Sequence, residues 1–194
     1  MLIDKKIAIL DIDGVLNNYP IDFISWANEK FDLSCENIFE LKGCVDYRNI
    51  KQLYRLSGVK RNLNVNKGLN LFLKYLFSEN YYLWIITSRP VLENTISDTK
   101  YWLHKNEIYY DRIDFCRDKA TIIKQNIMDN NKIFFMIEDN ASLIDNVLDV
   151  KVENKFPIIF FDIHNLQINK FEGNNRVVFL QKFSQVVSFL QGRK

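Results

Sequence analysis

The sequence predicts an α/β protein: a parallel sheet covered by helices on both faces and interrupted once by a helical insert. Three observations predict it. Short, continuously apolar runs such as "KIFFMIE" and "FPIIFFDI" read as strands buried on both faces. Segments of helical periodicity lie between these runs, and strands alternating with helices imply parallel pairing. One stretch, residues 17–66, has no convincing strand and breaks the alternation.

Taken in order, strands are expected at 6–12, 81–87, 113–116, 133–137, 157–163 and 177–180. Leu69, Phe72, Leu73 and Leu76 share a helical face before the second strand, and Leu92, Ile96, Thr99 and Leu103 share one after it. Ala120, Ile123 and Ile127 follow the third strand; Leu143, Ile144, Val147 and Leu148 follow the fourth. Within 17–66 the pattern fits helices at roughly 21–31, 35–41 and 47–56, the last ending at "SGVK". The expected organisation is a Rossmann-like core of residues 1–16 and 67–194, with a small helical cap of residues 17–66 inserted after the first strand.

Composition narrows the class. The 194 residues suit one domain of ordinary size, or a core plus an insert. A content of 47% hydrophobic and 26% charged residues is that of an ordinary globular chain. The net charge of +2 gives no case for a general nucleic-acid or membrane-surface binder, so no stable nucleic-acid partner is expected. Cys35, Cys44 and Cys116 are spread along the chain without a C-x-x-C. With only His104 and His164 beside them, they argue against a Cys/His zinc site and for a reducing compartment. The start "MLIDKKIAIL" carries Asp4 and too short an apolar run for a signal peptide. No segment approaches the length of a membrane span. A cytoplasmic protein is expected; nothing in the pattern fixes an oligomeric state.

In an open parallel sheet, chemistry sits at the carboxyl ends of the strands. The first run ends in "AILDIDGVLNN". Here Asp11 and Asp13 stand two apart, so on a strand they would point to one face and repel each other. The second ends in Thr87-Ser88-Arg89-Pro90, the third in Cys116-Arg117-Asp118-Lys119, the fourth in Glu138-Asp139-Asn140. A divalent cation held by hard oxygen ligands would offset the carboxylate repulsion.

The ordered set "DIDGVL", "IITSRP", "RDK" and "IEDN" resembles the four motifs of the haloacid dehalogenase superfamily over about three quarters of the chain. The style of "ITSRPVLENTISDTKYWLHKNEIYYD" resembles its 5'-nucleotidase-like phosphatases with a small helical cap. The resemblance implies a phosphomonoester hydrolase acting through an aspartyl-phosphate. Asp11 would be the nucleophile and Asp13 the general acid and base. Thr87 would bind a phosphoryl oxygen, and Lys119 would neutralise charge on Asp11 and phosphate. The metal would be Mg²⁺, on Asp11, the Asp13 backbone carbonyl and Asp139. Glu138 is a possible second acidic residue there, and either member of the Glu138-Asp139 pair can bind the metal while the other holds a metal-bound water or Lys119; Asp139 is preferred as direct ligand. An acid at position 13 favours phosphoryl transfer over dehalogenation, since a halide needs no proton.

Alternatives remain at several positions. Thr87 and Ser88 suit a helix cap as well as a phosphate contact. Lys124 is the rival of Lys119, which is preferred because it opens a helix at the strand rim. Gly14, Ser88 and Arg89 are expected to contact substrate. So are Arg48, Lys51 and Arg55, which share a face of the last insert helix; the alternative for these three is a solvated face. From Lys42 to Arg61 six basic residues meet only Asp46, with Trp26, Tyr47 and Tyr54 close in sequence. The expected substrate is a small phosphorylated molecule, preferentially a nucleoside monophosphate. Sugar phosphates, nucleic-acid 3'-phosphate ends and a catalytically silent phospho-ligand-binding module are the alternatives.

Overall fold

The structure is a computed structural model that describes residues 5–127, 133–150, 155–162 and 170–193. Asp4, Ile163, His164 and the side chain of Ile127 lie outside the described residues.

Six strands form one parallel sheet: β1 (Ile7–Leu10), β2 (Tyr82–Thr87), β3 (Arg112–Phe115), β4 (Ile133–Glu138), β5 (Ile158–Phe161) and β6 (Val177–Leu180), in the order β3-β2-β1-β4-β5-β6. The apolar runs become central strands because both faces are covered. Ala8, Leu10, Leu83, Ile85, Phe135 and Ile137 face one layer, with α4 (Leu69–Ser78), α5 (Glu93–Lys105) and α8 (Phe183–Gln191). Ile7, Ile9, Trp84, Ile86, Met136 and Ile158 face the other, with α6 (Lys119–Ile127) and α7 (Ala141–Leu148). Successive strand residues alternate between the layers, as the pleat requires. One register shift beside Ile7 and Ala8 sets Ile7 opposite Ile133 but Ala8 opposite Phe135.

Between β1 and α4 run α1 (Ile21–Phe31), α2 (Ile38–Gly43), α3 (Tyr47–Leu56) and a short 3-10 turn, Val59–Asn62. Asn37 caps α2, its side chain accepting from the Phe39 and Glu40 amides. The apolar faces of these helices, among them Phe23, Ala27, Leu41, Ile50 and Tyr54, join the core layer of α4, α5 and α8. The insert is therefore not a detached lobe; it shares a core with the sheet. Its two ends are stapled together: the Asn66 amide nitrogen donates to the carbonyls of Gly14, Val15 and Asn17 at 3.3, 2.7 and 2.8 Å.

Three sequence expectations are corrected here. β1 stops at Leu10, so Asp11 and Asp13 lie beyond the strand and do not share a strand face. The buried face of α5 is Thr95, Thr99, Trp102 and Leu103, whereas Leu92 precedes the helix and is exposed. Polar groups with internal partners took that face: Thr99 accepts from Arg89, and the Trp102 indole donates to the Leu63 carbonyl at 2.8 Å. Cys35 and Cys44, distant in sequence, flank α2 with their Sγ atoms 3.8 Å apart as free thiols. No helix among the described residues is long and apolar enough to cross a membrane.

Candidate active site

The chain order reverses between β2 and β4, which flank β1 on opposite sides. Such a switch point opens a crevice outside the carboxyl ends of the strands. Asp11 leaves β1 there, its N–H still donating to the Ile137 carbonyl at 3.1 Å. Ile12 then turns into the core, fully buried, and this puts Asp11 and Asp13 on different partners.

Asp11 faces Lys119. The Lys119 ammonium lies 2.7 Å from Asp11 Oδ1 and 2.6 Å from Glu138 Oε2, and the lysine is 1% exposed. Asp118 caps α6 through the Thr121 amide and hydroxyl, which fixes Lys119 at the start of that helix. Burial lowers a lysine's pKa, but Asp11 and Glu138 outweigh it and hold Lys119 firmly charged. Glu138, itself fully buried, also accepts from the amides of Asp139 and Asn140 at 3.2 and 3.0 Å. Lys124, the rival lysine, is exposed on α6.

Asp13 is held by other cations. Arg89 grips it with Nε at 3.0 Å and Nη2 at 2.5 Å, Lys60 reaches it at 3.3 Å, and the Asn17 amide donates at 2.8 Å. Burial alone would raise the Asp13 carboxyl; Arg89 and Lys60 reverse this and hold it well below the usual carboxylate range. The contact with Lys60 is one-sided. Lys60 itself stays below an ordinary lysine, because burial and the neighbouring Arg89 outweigh its long contact to Asp13. Arg89 is what mainly holds Asp13.

Asp11, Glu138 and Asp139 offer carboxylate oxygens within 4.8 Å of one another. Asp139 makes no ion pair among the described residues, and burial with Glu138 and Asp11 nearby pushes its carboxyl well above the usual range. Burial likewise lifts Asp11 to about 7, against the pull of Lys119 and with Glu138 and Asp13 adding to the rise. A hard divalent cation fits this set. Its ligands would all be oxygens, and its charge would offset the burial and the repulsion that raise both groups. Gly14 is required beside it: its φ is +89°, and a Cβ there would collide with the Asp139 carboxylate.

The acids, with Gly14, Arg89 and Lys60, border a cavity of about 540 Å³ between the strand ends and the insert, and Lys119 lies buried behind Asp11 and Glu138. Asp11, Asp13, Gly14, Thr87, Ser88, Arg89, Glu138 and Asp139 line its floor. Thr87 is buried, its Oγ1 accepting from the Arg89 amide at 3.3 Å; Ser88 is exposed at the edge. Lys51 and Arg55 line the opposite wall, while Arg48 is exposed and does not border the cavity. The turn of α3 that buries Ile50 and Tyr54 carries Arg48 away. His104 is exposed on α5, and Asp145 pairs with Lys170 at 2.7 Å, away from the site.

Sequence reasoning missed five groups. Lys60 comes from the 3-10 turn, Lys42 from α2, and Asp162 from the end of β5. Asn17 holds the loop, accepting from the Gly14 and Tyr19 amides, and Asn66 staples it. Two signals were available: the basic stretch from Lys42 to Arg61, which holds both lysines, and the end of "FPIIFFDI", an acid at a strand terminus like those already noted.

No family model matches the sequence, and no curated protein matches it at a significant level. Solved structures do match. A predicted phosphatase from Clostridium acetobutylicum is 18% identical, with 97% of this chain and 99% of that one covered at a TM-score of 0.65. A protein assigned as a β-phosphoglucomutase from Thermotoga maritima is 17% identical, covering 96% and 99% at 0.68. The chain has the haloacid dehalogenase-like fold. An HAD phosphatase from Thermococcus onnurineus shares it at 16% identity, covering 96% and 98% with a TM-score of 0.60. At such identities the likeness establishes the haloacid dehalogenase-like fold and leaves the chemistry to be argued from the site.

Proposed function

We propose that this protein is a Mg²⁺-dependent phosphomonoester hydrolase working through an aspartyl-phosphate on Asp11. The observation that carries the reading is the buried chain Asp11–Lys119–Glu138, with Asp139 beside it, whose carboxylates line the floor of a cavity on the switch point of the sheet.

The chain's own residues supply the steps. Lys119 orients Asp11 and favours its ionised form, which a bound cation would favour further, so that a carboxylate oxygen attacks phosphorus as the ester oxygen departs. Asp13 gives that oxygen a proton, then takes one from the water that attacks the phosphoenzyme, and phosphate leaves. In the resting site Asp13 is the carboxylate, held by Arg89 and Lys60. A bound phosphate dianion competes for the same two cations, and drawing them off frees Asp13 to carry a proton. Thr87 and the loop at Gly14 receive phosphoryl oxygens, and Lys119 offsets charge as it builds up. Asp11, Asp139 and the Asp13 carbonyl would hold Mg²⁺, with Glu138 within reach, and the ion would supply further neutralisation of phosphate charge.

Nucleoside monophosphates are the first substrate reading, supported by the motif style "ITSRP…IEDN" and by aromatic residues on the cavity wall. Sugar phosphates are the second, favoured by the likeness to the Thermotoga maritima protein. The test is turnover of an aryl phosphate with Mg²⁺ and with EDTA, followed by a screen over nucleotides, sugar phosphates and phosphorylated DNA ends. Hydrolysis that requires Mg²⁺ is expected. No hydrolysis of any phosphomonoester would leave a silent phospho-ligand-binding module.

A further inference from the structure

The floor of the cavity has chemistry enough for one phosphate; the opposite wall holds cations that this chemistry does not use. Lys42 from α2 and Lys51 and Arg55 from α3 border the cavity, and none makes an ion pair among the described residues. The nearby acids are engaged elsewhere. Asp46 accepts from the Asn49 amide, and Glu40 accepts from the Glu36 backbone and the Asn37 amide. Lys51 and Arg55 sit one helical turn apart, half-buried, and burial together with the Arg55 charge lowers Lys51.

Tyr54 is a second, independent sign. It lies on α3 between Lys51 and Arg55, is 2% exposed and borders the cavity, yet its hydroxyl has no hydrogen-bond partner. Its ring packs against Phe23 at 4.5 Å and Trp26 at 5.2 Å, which holds the side chain in place beside the cavity. Buried hydroxyls without a partner are rare because burial strips them of water. An orphan donor beside unpaired cations calls for an acceptor that carries negative charge.

We infer that Lys42, Lys51, Arg55 and the Tyr54 hydroxyl form a subsite for a second anionic group, so that the substrate is a phosphomonoester bearing another phosphate at its far end. The inference rests on the phosphomonoesterase reading and narrows it. The floor takes the phosphate that is cleaved. The wall takes the one that is kept, and discriminates against substrates that lack it. Phosphate suits the wall better than a neutral ring: three cations that can only donate, with one hydroxyl able to donate beside them, match a dianion's oxygens.

The experiment compares matched pairs: adenosine 3',5'-bisphosphate with adenosine 5'-monophosphate, and glucose 1,6-bisphosphate with glucose 1-phosphate. The readout is the ratio of kcat/KM within each pair. Charge-assisted contacts set the expected preference for the bisphosphate member at about ten- to a hundredfold in at least one pair, and the pair that shows it identifies the scaffold. Lys51→Gln and Arg55→Gln should bring that ratio down about tenfold each. Tyr54→Phe should reduce it without lowering the melting temperature, because it removes a hydroxyl that nothing in the resting protein satisfies. Calorimetric titration of the same pairs onto metal-free protein reads the subsite even if no ester is hydrolysed, and there too the bisphosphate should bind more tightly. Ratios near one in both pairs, or ratios unchanged in all three variants, overturn the subsite. Absence of turnover with a retained binding preference overturns the hydrolase reading alone.

Discussion

Lys119→Met removes one charge and almost no volume from the floor of the site. The ammonium contacts Asp11 at 2.7 Å and Glu138 at 2.6 Å and is 1% exposed. Breaking a buried pair from one side costs about 3–5 kcal/mol, because the carboxylates stay buried without their partner. Against a total stability of about 5–15 kcal/mol the variant still folds. At about 2–4 °C per kcal/mol for a chain of this size, its melting temperature should fall by roughly 6–20 °C. The deficit depends on pH, and its sign follows from Asp11. Burial raises that carboxyl to about 7, with Lys119 pulling it down. Without Lys119 it rises further, so the loss of stability is greatest above pH 7 and shrinks as acid protonates the site. Turnover has its own loss: one preorganised charge at a reacting oxygen is worth about a hundred- to a thousandfold in kcat. The assay is aryl phosphate hydrolysis at saturating Mg²⁺, well below the melting point, normalised to folded protein. Lys124→Met is the control; exposed, it should change stability by no more than about 0.5 kcal/mol and leave kcat near wild type. A folded Lys119→Met protein that keeps more than about a tenth of its turnover would falsify the assignment, as would a crippled Lys124→Met.

Three further outcomes are expected. Asp11→Asn should keep the fold and lose essentially all turnover, and residual activity at about a tenth of wild type would assign the nucleophile elsewhere. In metal-free protein the raised Asp11 carboxyl makes the native state hold a proton that the unfolded chain releases, so stability should fall as pH rises from about 4 to about 7. Added Mg²⁺ should therefore raise the melting temperature more at pH 8 than at pH 5, and an equal rise at both would contradict a carboxylate site. Gly14→Ala should cost about 1 kcal/mol or more in backbone strain at φ +89° and displace the Asp139 carboxylate, seen as a weaker apparent Mg²⁺ affinity in a kinetic titration.

The sequence by itself determined the sheet and the floor of the site. Strands buried on both faces must read as unbroken apolar runs, and where such a run meets Asp11, Thr87 or Glu138 the strand is at its carboxyl rim. Local periodicity likewise placed the insert helices, since α1 and α3 match the expected spans at both ends. What each helix turns toward the cavity was decided by tertiary packing. Arg48, Lys51 and Arg55 are equivalent on an isolated helix, but burying Ile50 and Tyr54 in the shared core aims two of them inward and leaves Arg48 in water. Partners distant along the chain were equally invisible. Lys60 meets Asp13 across 47 positions and Asn66 meets Gly14 across 52, and no short-range pattern encodes such a contact. The strand end at Leu10 belongs with these. Ile12 enters the core layer that the sheet shares with the α1–α3 insert, and that turn gives Asp11 and Asp13 separate counter-ions.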